Sequence, residues 1–421
     1  MSVIAGYVDD NGNLLHYKFG DMLINKHRIV AYNDNLYIYK DGYYVNDNNT
    51  IQRAMIDLYP SISSYKRREV LSYIKIKVHL NKKPINNPYF INIKNGRLDL
   101  LNADLFPHTP DEIDFIRVPV KFNPTAYCKI VDQTLNKVFL GDREVRKLFE
   151  ELLGYCLIRN TKYQRGFILY GKGSNGKSTI LKMMREFLGK ENTTSIALSK
   201  IHHQFTTQEL DNKLANIGDD LDPKQLKETG TIKKLISGEG MLVDIKYEQP
   251  VVLYNHAKMI FSTNYLPRSI DKSKGFYRRF EFIPFNAQIS ENDDDFDPFI
   301  EDKLTTEEAK SYLLNIAIKG INRLIRQNTF TYPEVVRKVK EQYKKMNSTV
   351  LTFLDDELIE PEGRIISEIY DEYVEYCKKS NVKYVSRVTF SREICEYFDV
   401  ESTPERTHND KVERVFRKVG G

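Results

Sequence analysis

The chain has 421 residues and a formal net charge of +5, from 63 lysines and arginines against 58 aspartates and glutamates. A chain of this length predicts two to four domains. So small a net charge argues against a histone-like or tail-driven nucleic-acid binder, although it leaves room for a protein that places a few basic groups well. With 29% charged and 41% hydrophobic residues, the composition is typical of a globular protein and not of a disordered one.

The cysteines and the N-terminal residues indicate the cellular compartment in which we expect the protein. The four cysteines, Cys128, Cys156, Cys377 and Cys395, form no CxxC pair and fit neither a zinc site nor a disulfide framework. Free thiols are typical of a reducing compartment. The first residues lack the pattern of a signal peptide, and no run of 18 apolar residues occurs. We therefore expect a cytoplasmic protein with no membrane partner.

The first 160 residues predict mixed or helical structure without a catalytic cluster. We expect a small α/β region over 1–85 and a helical domain over 86–160. The elements that the patterns predict are a hairpin over 35–47 that turns at Asp41-Gly42, a helix over 64–78, a strand pair over 89–101 that turns at Asn95-Gly96, and an amphipathic helix from Asp142 to Ile158.

The rest of the chain divides into an α/β region and a C-terminal region. Over 161–330, short apolar segments at 166–170, 214–218 and 257–264 alternate with helical spacing, as at 177–188, which predicts a sheet with crossover helices. Over 331–421 we expect a winged helix-turn-helix. Its predicted elements are helices near 335–346, 349–358, 366–379 and 387–397 and a terminal strand at 411–419.

The strongest motif is a glycine-rich loop, Gly171 to Ser178, which matches G-x-x-x-x-G-K-[ST] between an apolar strand and a helix. Glycines let successive backbone N–H groups converge on phosphate oxygens, and the helix points its positive N-terminus at the same anion. Lys177 supplies charge for the β- and γ-phosphates, and the Ser178 hydroxyl can hold Mg²⁺. The residues that we expect to bind ATP are Gly171, Gly173, Ser174, Asn175, Gly176, Lys177, Ser178 and Thr179.

An acidic pair follows the apolar segment at 214–218. Asp219 at the end of that segment is our candidate to hold Mg²⁺, and Asp220 is our candidate to orient or deprotonate the attacking water. The alternative is an acidic pair that caps a helix or faces solvent.

In this order, the loop, the acidic pair, IFSTNYLPR at 260–268 and GFYRRFEFIPF at 275–285 resemble the helicase module of superfamily 3, most closely that of phage and plasmid primase–helicases and their poxvirus relatives. The resemblance covers about residues 90–290. It implies an AAA+ fold, a homo-hexameric ring and ATP bound between subunits.

The resemblance also implies roles for three polar residues. Asn264 matches the residue that ends the sensor strand and holds the attacking water. Arg279 best matches the arginine finger that reaches the neighbouring subunit's ATP, but the adjacent Arg278 is not separable from it by sequence. Arg268 is a weaker candidate, and a surface ion pair is the alternative for each arginine.

A DNA-binding hairpin is the next expectation. Residues 242–252 place apolar segments on both sides of a polar centre, which predicts a hairpin with Lys246 and Tyr247 near its tip. In the family that the chain resembles, this hairpin grips single-stranded DNA in the ring pore. Lys233 and Lys234 on the preceding helix are lesser candidates.

The C-terminal region contributes a second set of DNA-binding candidates. A winged helix there would suit duplex origin DNA, although packing or protein contacts are an alternative. The candidate residues are Arg387, Thr389, Ser391, Arg392, Arg406 and Lys411.

Two departures from the family are visible. The segment before the acidic pair is short, and the pair is Asp-Asp where many relatives have glutamate. The first 90 residues also show no clustered metal-binding carboxylates, so we expect no priming activity in this chain.

Three functions compete. The first is an ATP-driven DNA helicase in the replication of a phage, plasmid or mobile element in a bacterial host, with a primase or replisome protein as a further partner. The second is an initiator that assembles on an origin without unwinding. A P-loop kinase or metabolic NTPase is the third, and it leaves the arginine pair and the hairpin unexplained.

Overall fold

The computed structural model describes residues 6–81, 84, 87–203, 205–218, 229–244, 250–269, 271–406 and 411–419. Its architecture is α/β, with a mixed N-terminal region, a parallel five-stranded sheet in the middle and helices followed by a strand pair at the C-terminus. Among the helices of the described ranges, none has both the length and the apolar character that a membrane-spanning helix needs. The four cysteines are free, and three of them are buried.

The N-terminal region packs a three-stranded antiparallel sheet against helices. Its apolar cluster includes Phe19, Ile38 and Ile74. The predicted hairpin is confirmed, and Asp41 and Gly42 form its turn with φ of 51° and 92°. The elements are α1 (His16–His27), β1 (Val30–Tyr32), β2 (Asn35–Lys40), β3 (Tyr43–Asn46), α2 (Asn48–Leu58) and α3 (Ser64–Lys77).

The next region begins with strands, although we expected it to be helical. A four-stranded sheet of order β6-β5-β4-β7 precedes its two helices, and the strand pair predicted at Asn95-Gly96 is part of it. Asp142 caps the second helix by accepting hydrogen bonds from the backbone N–H groups of Glu144 and Val145. The elements are β4 (Phe90–Ile93), β5 (Gly96–Asp99), β6 (Leu105–Phe106), β7 (Arg117–Val118), α4 (Lys129–Val138) and α5 (Arg143–Leu157).

The central sheet has the order β14-β8-β13-β10-β9, and every adjacent pair is parallel. Three of its strands, β8, β13 and β14, are nearly fully buried, which explains their largely apolar sequences. The elements of this region are β8 (Gly166–Tyr170), α6 (Lys177–Leu188), β9 (Thr193–Thr194), β10 (Ala215–Gly218), α7 (Gly230–Ser237), β11 (Gly240–Val243), β12 (Val251–Tyr254), β13 (Lys258–Thr263), α8 (Lys274–Tyr277), β14 (Phe280–Pro284), α9 (Ile300–Leu304) and α10 (Glu307–Gln327).

Helices α5 and α10 pack closely because glycines lie at their contact. A Cβ added at Gly320 would come within 2.2 Å of the Glu150 carbonyl oxygen, and one at Gly154 within 2.5 Å of the Ala317 carbonyl oxygen. One apolar cluster runs from Ile91 through these helices to the central sheet. The two helices therefore support the sheet that carries the glycine-rich loop.

The C-terminal region has its own apolar cluster, which includes Phe353, Tyr373 and Phe390. Helix α11 is separate from it, because Val339 and Tyr343 pack in the cluster beneath the central sheet. The predicted helices and the terminal strand are confirmed. The elements are α11 (Glu334–Met346), α12 (Thr349–Asp356), α13 (Ile366–Lys379), α14 (Arg387–Phe398), β15 (Val400–Arg406) and β16 (Val412–Lys418), the last two forming an antiparallel pair.

Candidate functional site

The glycine-rich loop lies at the carboxyl edge of the sheet, between β8 and α6. Ser174 and Gly176 have φ of 58° and 82°, so the backbone turns twice through the left-handed region before the helix begins at Lys177. The first N–H groups of α6 have no acceptor within their own helix. This edge therefore presents the positive end of a helix and a curled loop, as the sequence predicts.

The glycines of the loop differ in what their surroundings demand. A Cβ at Gly171 would lie 2.2 Å from the Phe285 carbonyl oxygen, and one at Gly176 would lie 2.7 Å from Val138 Cγ1. A Cβ at Gly173 would meet nothing within 4 Å. Packing therefore requires glycine at positions 171 and 176, whereas the space beside Gly173 is open.

Lys177 is buried, at 6% exposure, and its ammonium group is held in the loop. Nζ donates to Asn175 Oδ1 and to Asn264 Oδ1, both at 3.1 Å, and to the Gly171 carbonyl oxygen at 2.5 Å. The Asn175 amide also donates to the Phe285 carbonyl oxygen at 3.0 Å. The loop is thus braced by β13 and by the segment that follows β14.

Asn264 and the acidic pair follow neighbouring strands. Asn264 is exposed directly after β13, and the structure brings its side chain to Lys177. The adjacent β10 is buried and ends at Gly218, paired with Phe261. Asp219 and Asp220 lie outside the described residues. Ser178 is exposed at the start of α6, and Thr179 is partly buried beside it.

The two adjacent arginines lie at the opposite, amino edge of the sheet, because the Arg279 carbonyl oxygen accepts from Gly166 N at 2.7 Å. Arg279 Nε and Nη2 donate to Ser237 Oγ at 3.0 and 2.8 Å, and Nη1 donates to the Gly275 carbonyl oxygen at 2.7 Å. Burial and the neighbouring charge of Arg278 lower the pKa of Arg279. Arg279 is therefore engaged within its own chain, whereas Arg278 is exposed.

Arg278 lines a cavity of about 310 Å³ between the central region and the C-terminal region. Lys272, Lys274, Lys344 and Tyr397 also line it. Lys272 crosses to α14, where its Nζ lies 3.1 Å from Glu393 Oε1. The other candidate arginine, Arg268, is exposed on the loop after β13.

The predicted hairpin is present as the antiparallel pair β11–β12, in which Val243 pairs with Val251. Lys246 and Tyr247 lie outside the described residues. Of the lesser candidates on α7, Lys234 is exposed, but Lys233 forms an ion pair with Asp271 at 2.6 Å.

The C-terminal candidates cluster around the start of α14. Arg387 and Arg392 are exposed, and Thr389 and Ser391 are partly buried. Ser386 caps the helix by accepting from Thr389 N. Arg406 at the end of β15 and Lys411 before β16 are also exposed.

Sequence reasoning did not find two charged residues of the central region. Lys258 at the start of β13 is 2% exposed, and its Nζ donates to the carbonyl oxygens of Ile158 and His256, both at 2.6 Å. Burial lowers its pKa to about 7. Asp271 accepts hydrogen bonds from Thr229 and Lys233, at the start of α7 and about 40 residues away in sequence. No local pattern marks either residue, since the contacts with Ile158, Thr229 and Lys233 span long stretches of the chain.

Two family models match this chain. One, described as D5 N terminal like, matches residues 17–140, and the other, described as a family of unknown function (DUF5906), matches residues 169–279. The chain resembles superfamily 3 primase–helicases. The second match covers the glycine-rich loop, Asn264 and the arginine pair, which are the residues that carry the resemblance in the sequence.

One known relative agrees with this resemblance, and two solved structures share the fold. A protein of Acanthamoeba polyphaga mimivirus named "putative helicase" is 21% identical over 324 residues, which is 70% of this chain and 33% of that protein. The chain thus spans about a third of that relative's length. Two apo structures of the NrS-1 C-terminal region share its fold, with TM-scores of 0.56 and 0.53 at 14% and 15% identity, covering 96% of this chain and 98% of theirs.

Proposed function

We propose that this chain is an ATP-dependent DNA helicase that acts as a hexameric ring in the replication of a phage, plasmid or related mobile element, in the cytoplasm of a bacterial host. The observation that carries the proposal is the placement of the candidate ATP-site residues at two opposite edges of one sheet. Lys177 and Asn264 lie together at the carboxyl edge, and the exposed Arg278 lies at the amino edge.

The carboxyl edge supplies the groups for binding ATP. Lys177 and the N-terminus of α6 neutralise phosphate charge, and the Ser178 hydroxyl with Asp219 would hold Mg²⁺, which would neutralise charge on the β- and γ-phosphates. Asn264 is placed to orient the attacking water, and Asp220 is our candidate base. The open space beside Gly173 leaves room for phosphate groups, and the side-chain oxygens of Ser178 and Asp219 are of the kind that Mg²⁺ prefers.

The amino edge supplies a group for another subunit. Tyr170 pairs with Pro284 at one end of β8 and Gly166 with Phe280 at the other. Four residue steps of about 3.3 Å put the two edges about 13 Å apart before any side chain is added. Arg278 therefore cannot serve the loop of its own chain, and a head-to-tail ring brings it to the next. We assign the arginine finger to Arg278 because Arg279 is bound to Ser237.

The proposed fold is an AAA+ core, which agrees with β13 lying between β8 and β10. The hairpin β11–β12, with Lys246 and Tyr247 in its connection, would grip single-stranded DNA in the pore. The C-terminal region would be a winged helix, because helices α13 and α14 are followed by the antiparallel pair β15–β16.

Strand displacement on a forked duplex tests this function. We expect DNA-stimulated ATP hydrolysis and ATP-dependent displacement by the wild-type chain, and neither by Lys177→Ala. The helicase function would be contradicted if DNA stimulated ATP hydrolysis but no forked duplex was unwound under any loading condition.

The origin-binding initiator is the second candidate. The observation that favours it is a group of exposed cations at the turn before α14, where a helix-turn-helix meets duplex DNA: Lys378, Lys379, Lys383 and Arg387. Specific, ATP-dependent binding to one duplex sequence without displacement would support the initiator over the helicase.

A further inference from the structure

Segment 264–279, which the structure describes except for residue 270, runs from the candidate ATP site to residues that contact helix α7. It begins at Asn264, which contacts Lys177, and ends at the arginine pair. Between them, the Pro267 carbonyl oxygen accepts from Tyr343 Oη at 2.7 Å and Ser269 N donates to Asn347 Oδ1 at 2.7 Å. These two hydrogen bonds hold the middle of the segment against α11 and its C-cap residue Asn347.

Asp271 attaches this segment to the start of α7. Its Oδ2 accepts from Lys233 Nζ and from Thr229 Oγ1, both at 2.6 Å, and its Oδ1 accepts from Ser273 N at 3.0 Å. Burial opposes the charge of Asp271, but the hydrogen bonds from Lys233, Ser273 and Thr229 outweigh it, so the pKa of this carboxyl lies well below its usual value. The carboxylate is thus charged at any physiological pH.

The same segment also holds the end of α7. Arg279 donates twice to Ser237 Oγ, and Ser237 is the last residue of the helix. Gly238 then turns through the left-handed region, with φ of 69°, and β11 begins at Gly240. Helix α7 is therefore fixed to segment 264–279 at both of its ends, and it leads into the hairpin after two residues.

We infer that Asp271 is a positioning residue that couples the ATP site to the hairpin, by making helix α7 move with segment 264–279. A shift at Asn264 on hydrolysis would then carry α7 and the base of β11 with it. The inference rests on the proposed function and deepens it. It also reassigns Lys233 from a DNA-binding candidate to the partner of Asp271.

The test measures base pairs displaced per ATP hydrolysed, because a purely structural role would change stability and both rates without changing their ratio. Asp271→Asn keeps the shape and an oxygen acceptor, and Lys233→Met removes the charge from the other side. In each variant we expect the number of base pairs displaced per ATP to fall by about tenfold. A change of this size corresponds to the loss of a typical coupling free energy between two sites. The double variant should be no worse than either single one.

Asp297→Asn is the matched control, since Asp297 also accepts from a lysine, Lys303, at 2.5 Å, but outside the segment. Its ratio should equal that of the wild type. An unchanged ratio in Asp271→Asn and Lys233→Met would overturn the coupling role while the helicase stands. A wild-type chain that displaces no strand would instead overturn the proposed function.

Discussion

The two edges of the central sheet carry charged groups in contrasting ways. At the carboxyl edge, Lys177 is buried and braced by Asn175 and Asn264, in a loop with open space at Gly173. At the amino edge, Lys258 is buried against two carbonyl oxygens, and Arg278 is exposed. One edge thus holds the residues of the proposed phosphate site, and the other presents an exposed arginine.

Under the proposed function, this difference would leave the ATP site of a single chain incomplete. Electrostatic stabilisation of phosphoryl transfer needs cations on both sides of the γ-phosphate. Each chain has both kinds of group, but the sheet separates them. The two buried lysines also differ in their surroundings. Lys177 lies in the loop of the proposed ATP site, whereas Lys258 links β13 to the residue that follows α5 through a hydrogen bond to the Ile158 carbonyl oxygen.

The largest effect should come from the lysine of the carboxyl edge. Lys177→Ala removes the charge nearest the β- and γ-phosphates, and we expect ATP hydrolysis to fall by about a hundredfold or more, as measured by phosphate release. Lys172→Ala is the control, because Lys172 is exposed in the same loop and takes part in its bracing through its backbone carbonyl. Equal losses in the two variants would contradict the assignment.

Substitutions of two loop glycines separate ATP binding from fold stability at the same edge of the sheet. Gly173→Ala should leave the melting temperature unchanged and weaken ATP binding about tenfold, since its Cβ enters the space proposed for phosphate. Gly171→Ala should instead destabilise the fold by about 1–3 kcal/mol, because its Cβ collides with the Phe285 carbonyl oxygen. Calorimetry and ATP titration distinguish the two, and an unaltered affinity in Gly173→Ala would show that phosphate binds elsewhere.

The next prediction concerns the lysine of the amino edge. Burial lowers the pKa of Lys258 to about 7, whereas an unfolded lysine keeps its proton to about 10.4. Between these values the unfolded chain binds one more proton than the folded chain, so the free energy of unfolding should rise with pH by up to about 1.4 kcal/mol per unit. Denaturation at pH 7 to 9.5 should show this rise in the wild type.

Lys258→Met is the reference for that slope, because it removes the titrating group and keeps the apolar stem. The slope should be shallower in this variant by the contribution of one proton. Equal slopes in the two proteins would mean that Lys258 keeps its proton in the folded chain, stabilised by the two carbonyl oxygens and the Tyr155 ring.

Local patterns predicted much of the fold and part of the site. The glycine-rich loop, the hairpin and the C-terminal helices have signals within a few residues, and each is present where the sequence places it. The strands at 90–118 were partly missed because β6 and β7 have only two residues each. Such short strands form through pairing with distant neighbours and leave no periodic pattern.

Local sequence patterns could not predict which partners the charged residues contact. Arg278 and Arg279 are adjacent in the sequence, and the contact of Arg279 with Ser237, 42 residues away, helps to distinguish them. The ion pair of Asp271 with Lys233 spans 38 residues. Such contacts depend on how helices pack on the sheet, which residue spacing within a single element does not determine.

A mixing experiment tests the central claim that one ATP site is divided between two chains. Lys177→Ala subunits keep Arg278, and Arg278→Ala subunits keep the loop, so each variant alone should be nearly inactive. Random assembly of equal amounts creates intact sites at about a quarter of the interfaces, so we expect about a quarter of the wild-type ATP hydrolysis. A mixture that co-assembles by mass measurement and stays as inactive as its parents would contradict the account.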